Sequence, residues 1–167
     1  MKMKALTTIK TMQELLGVYR SPLGDIVLTS DGSALTGLQF AEASCRQPAE
    51  GIPLLTDACR WLDLYFSGAR PDFIPRLAPQ GTPFQQSVWG ELLAIPYGHT
   101  VSYGYIAQRL RCHSAQAVGG AVGRNPIALI IPCHRVIGSN GQLTGYAYGL
   151  DRKQWLLSHE TQHIGKP

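Results

Sequence analysis

The 167-residue sequence contains no apolar run long enough to cross a membrane, and nothing near its N-terminus has the apolar length of a secretory signal. Its four cysteines, at positions 45, 59, 112 and 133, form no CxxC pair and no regular framework. These absences argue against membrane proteins and against disulfide-stabilised secreted domains. We therefore expect a cytoplasmic protein whose thiols stay reduced.

Histidine is missing from the N-terminal half, since the first histidine is His99. Cys45 and Cys59 therefore have no histidine nearby with which to hold a metal ion. We predict no metal site and no cofactor. Cys59 lies on an apolar helical stripe, which predicts that it is a core residue.

Carboxylates are absent between Glu91 and Asp151. The same interval contains four arginines: Arg109, Arg111, Arg124 and Arg135. Residues 1–80 contain eight basic and eight acidic residues, and residues 81–167 contain seven and three, so the whole net charge of +4 belongs to the C-terminal part. A modest basic excess often serves only solubility, but this placement predicts a surface that binds phosphates.

The composition, 44% apolar and 16% charged, is typical of a globular chain that buries a core. Four prolines lie between Pro71 and Pro83, and they predict a boundary between an N-terminal domain, 1–80, and a C-terminal domain, 81–167. After a polar leader that ends near Gln13, alternating residues up to Phe40 and two turns predict a small antiparallel sheet. An apolar stripe at helical spacing then predicts one helix that ends at Gly68. We expect an α+β fold.

Three helices are predicted in the C-terminal part from their caps and apolar spacing. The first begins at Thr82-Pro83, and its apolar face contains Phe84, Val88, Leu92 and Ile95. Ser102 caps the second helix and Ser114 caps the third, which ends at Asn125-Pro126. Two short helices joined by a tight turn are typical of a helix-turn-helix.

The third helix consists almost wholly of Ala, Gly and Val, and Gly119-Gly120 lowers its intrinsic helicity. Small side chains allow close approach, either to a DNA groove or to the protein's own core. For Val118, Ala121 and Val122 the core is the better interpretation. Base-reading side chains are scarce on the remaining face, so sequence-specific operator recognition is not expected.

Cys133 and His134 stand side by side in the apolar stretch Ile130–Ile137, which we predict to be extended. Cysteine attacks as the thiolate, and a neighbouring base or cation lowers its pKa enough to supply that form. The motif therefore predicts a nucleophile. The alternative is an inert core cysteine, because free cysteine is among the most buried residue types.

Seven segments of the C-terminal part match one known family in order. They are Thr82-Pro83-Phe84-Gln85, Val101-Ser102-Tyr103-Gly104, Ala117-Val118-Gly119-Gly120-Ala121, Arg124-Asn125-Pro126, Ile131-Pro132-Cys133-His134-Arg135-Val136, Gly145-Tyr146 and Trp155-Leu156-Leu157-Ser158-His159-Glu160. Over residues 81–160 the chain resembles the methylated-DNA-protein-cysteine methyltransferases, or O(6)-alkylguanine-DNA alkyltransferases. The resemblance implies a ribonuclease-H-like N-terminal domain, to which Ser21-Pro22-Leu23-Gly24 is similar, and a mainly helical C-terminal domain of winged-helix type.

The activity implied by the resemblance is direct reversal of DNA damage. The protein would flip an O(6)-alkylguanine out of double-stranded DNA and transfer the alkyl group irreversibly to its own cysteine, with O(4)-alkylthymine as a further substrate. A thioether has no good route back to the thiolate, so each molecule would act once. We expect a monomer, and the sequence leaves open whether molecules bind cooperatively along DNA.

The resemblance also implies roles for single residues. Cys133 would be the acceptor, with His134 acting through a water and Glu160 orienting the imidazole. Tyr103 would rotate a phosphate and donate a proton to the leaving guanine, and Asn125 would tie the recognition helix to the active-site turn. Alternatively, Glu160 is merely a solvated acid at a helix end. Arg135 is expected to be structural and to pair with a carboxylate.

The remaining implied residues form two sets. The DNA-binding set is Ser102, Tyr103, Arg111, Ser114, Gln116, Ala117, Gly119, Gly120 and Arg124. The substrate-pocket set is Tyr103, Val122, Pro132, Val136, Tyr146, Ala147 and Tyr148.

The chain departs from the family pattern in the turn before the third helix and at Ala147, where the family has a serine, and two further departures have larger consequences for these sets. Gln116 stands where the family has an intercalating arginine, and Arg111 in the preceding turn can supply the missing charge. Tyr148 stands where the family has a glycine, which narrows the pocket against bulky alkyl groups or adds a stacking face.

Two other classes of protein are weighed against alkyl transfer. A helix-turn-helix regulator needs base-reading residues, and the third helix offers only Gln116, Arg124 and Asn125. A cysteine hydrolase needs an oxyanion hole and turnover. A related protein that only binds lesions is disfavoured by Cys133.

Overall fold

A computed structural model describes residues 15–42 and 47–165, so the polar leader up to Gln13 and Cys45 lie outside the described residues. The predicted α+β class is confirmed. An antiparallel sheet with one helix forms the N-terminal part, and the C-terminal part is mainly helical. Among the described residues, no helix has the length and apolar character needed to cross a membrane.

The N-terminal sheet has three antiparallel strands in the order β1-β2-β3. They are β1 (Leu15–Ser21), β2 (Gly24–Ser30) and β3 (Leu35–Phe40). Val18 pairs with Val27, and Leu28 pairs with Leu38. Gly24 has a φ of +111°, which a residue with a Cβ rarely adopts, so the first predicted turn depends on this glycine. Alternate residues of β2 point inward and are fully buried, as the sequence alternation predicts.

Helix α1 (Thr56–Phe66) covers this sheet. Cys59 on its inner face is 4% exposed, which confirms its place in the core. The helix ends before Gly68, whose φ is +87°. A Cβ at Gly68 would lie 2.4 Å from the His163 ring. The close approach of His163, at the end of the C-terminal helix, therefore also requires a glycine at position 68.

Helix α2 (Pro83–Leu93) begins with a capping box, in which the Thr82 side chain accepts from Gln85 N and the Gln85 side chain accepts from Thr82 N. The prediction that Phe84 belongs to its buried face was wrong, because Phe84 is 37% exposed. Phe84 lies in the first turn, and the buried face is formed instead by Val88, Trp89 and Leu92. The indole of Trp89 donates to Ala121 O at 2.9 Å and so joins α2 to α4.

The helix-turn-helix consists of α3 (Tyr103–Arg109) and α4 (Ala115–Gly123). Both predicted caps are present, since Ser102 accepts from Tyr105 N and Ser114 accepts from Ala117 N. Arg111 in the turn has a φ of +52°, in the region that favours glycine. Cys112 is half-buried.

The prediction of an extended chain from Ile130 to Ile137 was wrong. A 3₁₀ turn spans Cys133–Arg135, and only Val136–Ile137 form a strand, β5, which pairs in parallel with β4 (Val101–Ser102). Short-range hydrogen bonds close the turn, from Cys133 N to Ile131 O at 2.8 Å and from Arg135 N to Pro132 O at 3.0 Å. The periodicity of the sequence does not reveal this compact path.

The N-terminal sheet holds the segment that leads to Cys133. Leu38 N donates to Pro126 O and Ala128 N donates to Leu38 O, both at 2.9 Å. Helix α5 (Leu150–Gln162) closes the molecule, and one cluster of buried apolar residues contains members of both parts. The division of the chain at residue 80 stays a prediction.

Candidate active site

Cys133 lies at the first position of the 3₁₀ turn, is 7% exposed, and lines a cavity of about 190 Å³. The other residues around this cavity come from α3, α4 and the loop before α5. They are Tyr103, Gly119, Val122, Gly123, Asn125, Gly145, Tyr146, Ala147 and Tyr148. A thiol that is buried yet lines an open pocket is reachable by a ligand, so the cavity favours a nucleophile over an inert core cysteine.

Asn125 joins the end of α4 to the turn that contains Cys133. Its amide nitrogen donates to Ile131 O at 2.7 Å, and its amide oxygen accepts from Ile127 N at 3.0 Å. The side chain is buried and both of its polar ends are used, so it fixes the backbone on each side. Asn125 thus connects the end of α4 to the turn that contains Cys133, and its part in the reaction stays a prediction.

His134 and Glu160, which are distant in sequence, meet in the interior. His134 Nε2 and Glu160 Oε1 are 2.7 Å apart, and both side chains are fully buried. An ionised carboxylate only accepts hydrogen bonds, so Nε2 carries the proton and Nδ1 is the basic nitrogen. No group of the residues described here hydrogen-bonds to Nδ1. The alternative of Glu160 as a solvated acid is excluded by its burial.

Three further residues donate hydrogen bonds to the Glu160 carboxylate. Arg135 donates through Nε to Oε2 and through Nη2 to Oε1, each at 2.9 Å, which confirms its predicted pairing with a carboxylate. The Tyr65 hydroxyl donates to Oε1 at 2.9 Å, and Gly98 N donates to Oε2 at 3.2 Å. Tyr65 is a buried residue of α1, and the sequence alone does not reveal a partner for its hydroxyl.

The expectation that neighbouring groups lower the thiol pKa is not met in the free protein. Burial raises the pKa of Cys133, and this effect outweighs the opposing influence of Asn125, of the Lys153 charge and of nearby backbone N–H groups. Burial also lowers the pKa of His134 from its usual 6.5. The site therefore holds a protonated thiol beside a neutral imidazole at neutral pH.

Acid should destabilise the fold through these buried groups. Burial lowers the pKa of His134, whereas the hydrogen bonds and charges of His134 and Arg135 hold the pKa of Glu160 well below its usual 4.5, against the effect of burial. Because both pKa values lie below those of the unfolded chain, the unfolded chain binds protons first as the pH falls. We expect the free energy of unfolding to decline below about pH 6.5 and more steeply below about pH 4.5. Urea denaturation at a series of pH values across this range measures the free energy of unfolding.

The same titration on His134→Gln is the matched control. That variant should lose the upper part of the pH dependence and keep the lower part, which belongs to Glu160. Equal stability of the native protein at neutral and mildly acid pH would contradict the assignment.

Lys153 is a site residue that the sequence reasoning missed. It is fully buried on α5, and its Nζ donates to three carbonyl oxygens: Val136 O at 2.6 Å, Thr144 O at 3.1 Å and Gly145 O at 3.2 Å. Its charge lies near enough to Cys133 to lower the thiol pKa. A signal was present, since Lys153 lies three residues before Leu156 and seven before Glu160, on the same helix face.

The pocket wall agrees with the predicted set at five of seven positions. Tyr103, Val122, Tyr146, Ala147 and Tyr148 line the cavity. Val136 does not line it and is fully buried, and Pro132 borders a different cavity on the far side of the turn. Three glycines of the wall, at positions 119, 123 and 145, were not predicted as pocket residues.

The predicted DNA-binding residues lie on the helix-turn-helix or directly beside its helices. Arg111, Ser114, Gln116, Ala117, Gly120 and Arg124 are exposed, and Ser102, Tyr103 and Gly119 are half-buried. A Cβ built at Gly120 or Gly123 would meet no atom of the described residues within 4 Å. Since glycine inside a helix costs about 1 kcal/mol relative to alanine, packing within the chain does not account for these two glycines. Within the parts of the chain that the structure describes, no group of three His, Cys, Asp or Glu side chains could hold a metal ion.

Comparisons with known proteins cover both parts of the chain. A family model described as 6-O-methylguanine DNA methyltransferase, ribonuclease-like domain, matches residues 15–79. A second model, 6-O-methylguanine DNA methyltransferase, DNA binding domain, matches residues 83–162.

Curated relatives match over most of their own length. A methylated-DNA–protein-cysteine methyltransferase of Methanosarcina acetivorans is 45% identical over 149 residues, which is 86% of this chain and 96% of that protein. The Mycobacterium leprae protein of the same name is 46% identical over 149 residues, which is 86% of this chain and 90% of that protein.

Two solved structures are also similar to this chain over most of its length. The crystal structure of Mycobacterium tuberculosis O6-methylguanine methyltransferase superposes with a TM-score of 0.82 at 42% identity and covers 92% of this chain and 96% of its own. That of Mycobacterium tuberculosis OGT in complex with DNA has a TM-score of 0.81 at 45% identity and covers 89% of this chain and 93% of its own.

Proposed function

Because the chain belongs to the methylated-DNA–protein-cysteine methyltransferase family, we propose that Cys133 takes the alkyl group from O(6)-alkylguanine in double-stranded DNA. The chain is a DNA-repair enzyme that transfers alkyl groups. One observation carries the assignment to Cys133: its thiol lines a pocket beside a buried imidazole that a carboxylate holds in one orientation.

The proposed transfer is a single displacement. The sulfur of Cys133 attacks the alkyl carbon, an S–C bond forms, and the bond between that carbon and O(6) of the guanine breaks. The bonding electrons leave with the guanine, which takes up a proton and stays in the DNA as the normal base. The thioether has no route back to the thiol, so each protein molecule acts once.

The proton of the Cys133 thiol goes to His134. The thiol is protonated at rest and His134 is neutral, so the imidazole is in the form that accepts a proton. We assign the receiving atom as Nδ1, through one bridging water, because Nε2 is already bonded to Glu160. The negative charge of Glu160 stabilises the imidazolium that results, which is the base-and-orienter arrangement of a catalytic triad.

The flipped guanine is proposed to enter the pocket between α3 and the loop before α5. Tyr103 lies at the start of α3, lines this pocket and donates to Thr144 O at 3.2 Å. Burial raises the pKa of its hydroxyl, so Tyr103 keeps its proton near neutral pH and can donate it to the leaving purine.

The exposed face of α4 is proposed to enter the groove of the DNA. Gly120 and Gly123 leave room for a backbone there, and the exposed Arg111 and Arg124, which flank the two ends of α4, supply positive charge. Gln116 would occupy the place of the extruded base. The N-terminus of α4, capped by Ser114, would hold a phosphate.

Three finer points belong to the proposal. We expect a monomer, and O(4)-alkylthymine as a second substrate in the same pocket. We expect a cytoplasmic location, because an oxidising compartment would consume a nucleophilic thiol.

The decisive experiment measures the intact mass of the protein after incubation with double-stranded DNA that contains O(6)-methylguanine. We expect one methyl increment per molecule, located at Cys133 by peptide mapping and absent from Cys133→Ala. Cys59→Ala is the matched control and should be methylated like the native protein. Release of a free product by unmodified protein would indicate a hydrolase, and an unchanged mass with tight binding to one DNA sequence would indicate a regulator.

A substitution on α4 tests how the lesion is extruded. We expect Gln116→Arg to speed repair of double-stranded DNA by about tenfold, because a cation in the vacated stack stabilises the flipped state. Reaction with the free base O(6)-benzylguanine should change less than about twofold, because no flipping is needed. Equal acceleration of both reactions, measured by single-turnover kinetics, would show that residue 116 acts on the thiol instead.

A further inference from the structure

The loop that forms one side of the pocket, residues 145–149, which we call the pocket loop, also contacts the N-terminal sheet. The Tyr148 ring lies edge-on to Phe40, the last residue of β3, with ring centroids 5.3 Å apart. On its other side Tyr148 lies edge-on to Tyr146 at 5.5 Å. Tyr146 and Tyr148 both line the cavity that contains Cys133. A row of three aromatic rings therefore connects the sheet to the pocket.

Arg152, in the first turn of α5, holds this row from one side. Its Nε donates to Leu23 O at 3.0 Å, in the β1–β2 turn, and its Nη1 donates to Tyr148 O at 3.1 Å. The same guanidinium lies over the Phe40 ring, 4.9 Å from the centroid. One side chain thus binds the turn of the sheet, the end of β3 and the backbone of the pocket loop.

The geometry points to Arg152 and Phe40 as positioning residues that hold Tyr148 as the outer wall of the alkyl pocket, so that the N-terminal sheet sets the largest alkyl group accepted. This inference rests on the proposed function of Cys133. The N-terminal sheet would thus contribute to selection among alkyl groups of different size, and it would do so through Tyr148.

Two physical features support a wall that resists displacement. The planar guanidinium binds two carbonyl oxygens in fixed directions and stacks on an aromatic ring at once, which a lysine ammonium cannot do. Tyr148 is closed in by Phe40 and Tyr146 at contact distances typical of edge-to-face pairs. Displacing the Tyr148 backbone or the Phe40 ring to admit a bulky group would therefore require breaking the Arg152 contacts as well.

The test compares rate constants for alkylation of Cys133 by two double-stranded DNA probes, one with O(6)-methylguanine and one with O(6)-benzylguanine. We expect the benzyl-to-methyl ratio to rise about tenfold in Tyr148→Gly and about fivefold in Arg152→Ala and Phe40→Leu, in line with coupling between contacting residues. The ratio is informative because a general loss of stability lowers both rates together.

The double variant Arg152→Ala with Tyr148→Gly decides whether the residues act as one unit. Its ratio should match that of Tyr148→Gly within about twofold, since Arg152 acts only through Tyr148. The control is Arg20→Ala, which removes an arginine that pairs with Asp25 in the same hairpin and should leave the ratio unchanged.

The outcomes separate this inference from the proposed function. Unmodified native protein with both probes would overturn the proposed function itself. A reactive native protein whose ratio is unaltered in Arg152→Ala and Phe40→Leu, or multiplicative effects in the double variant, would overturn only the role of the sheet. If Arg152→Ala does not fold, Arg152→Lys gives the same comparison, since it cannot bind both carbonyls and should also raise the ratio.

Discussion

Replacing Glu160 by glutamine is expected to lower the rate of alkyl transfer by about 10²–10⁴-fold, the range lost when a general base is no longer oriented. The carboxylate fixes the proton of His134 on Nε2 and stabilises the imidazolium, and a neutral amide does neither as well. Single-turnover kinetics on double-stranded DNA with O(6)-methylguanine measures the change. Transfer at the native rate by folded Glu160→Gln would contradict the orienting role.

The same substitution should lower the free energy of unfolding by about 3–5 kcal/mol, because it leaves the buried Arg135 guanidinium without its counterion. Urea denaturation measures this part. Tyr65→Phe is the matched control, since it removes one hydrogen bond to the same carboxylate and keeps the hydrogen bond between His134 and Glu160. It should cost about 1 kcal/mol and change the transfer rate little.

Replacing Lys153 by methionine should lower the transfer rate by about 10²-fold, comparable to removing one preorganised electrostatic donor from an active site. Methionine keeps the length of the side chain but removes the positive charge near Cys133 and the three bonds that tie the pocket loop and Thr144 to β5. The pKa of the Cys133 thiol should rise further, because Lys153 lowers it. The pH dependence of reaction with iodoacetamide should therefore move to higher pH.

Gln154→Met is the matched control for Lys153→Met, because it places the same side chain at the next, exposed position of α5. Its transfer rate and thiol titration should equal those of the native protein. A Lys153→Met variant with native rate and native titration would show that the buried lysine serves packing alone.

Local signals in the sequence predicted the elements well where a few neighbouring residues decide the structure. Thr82, Ser102 and Ser114 all cap helices, since each cap needs only a side-chain oxygen and an N–H two or three residues later. The two hairpin turns have the same local origin. Periodicity failed at Phe84, because a helix face is buried only where another element covers it.

In the site, too, local signals predicted some features, and others depend on contacts between distant residues. Cys133, His134 and Glu160 could be named from the motif, yet nothing local predicts that residues 26 apart in sequence meet at 2.7 Å. The expected direction of the thiol pKa was wrong because neighbours in sequence were weighed and burial was not. Lys153 was missed for the related reason that a lysine on an apolar helix face is normally assumed to extend its charged end to solvent.

The sequence by itself determined the α+β class, the helix caps and the family, because these depend on residue type, short spacing and ordered motifs, and the match to the family proposes Cys133 as the nucleophile. Only the tertiary structure decided the 3₁₀ path of Cys133–Arg135, the protonation of the thiol and the joining of the N-terminal sheet to the pocket through Arg152. Those properties depend on burial and on contacts between residues far apart in the chain. Helix α5 packs against both parts of the molecule and thereby buries Lys153 and Glu160.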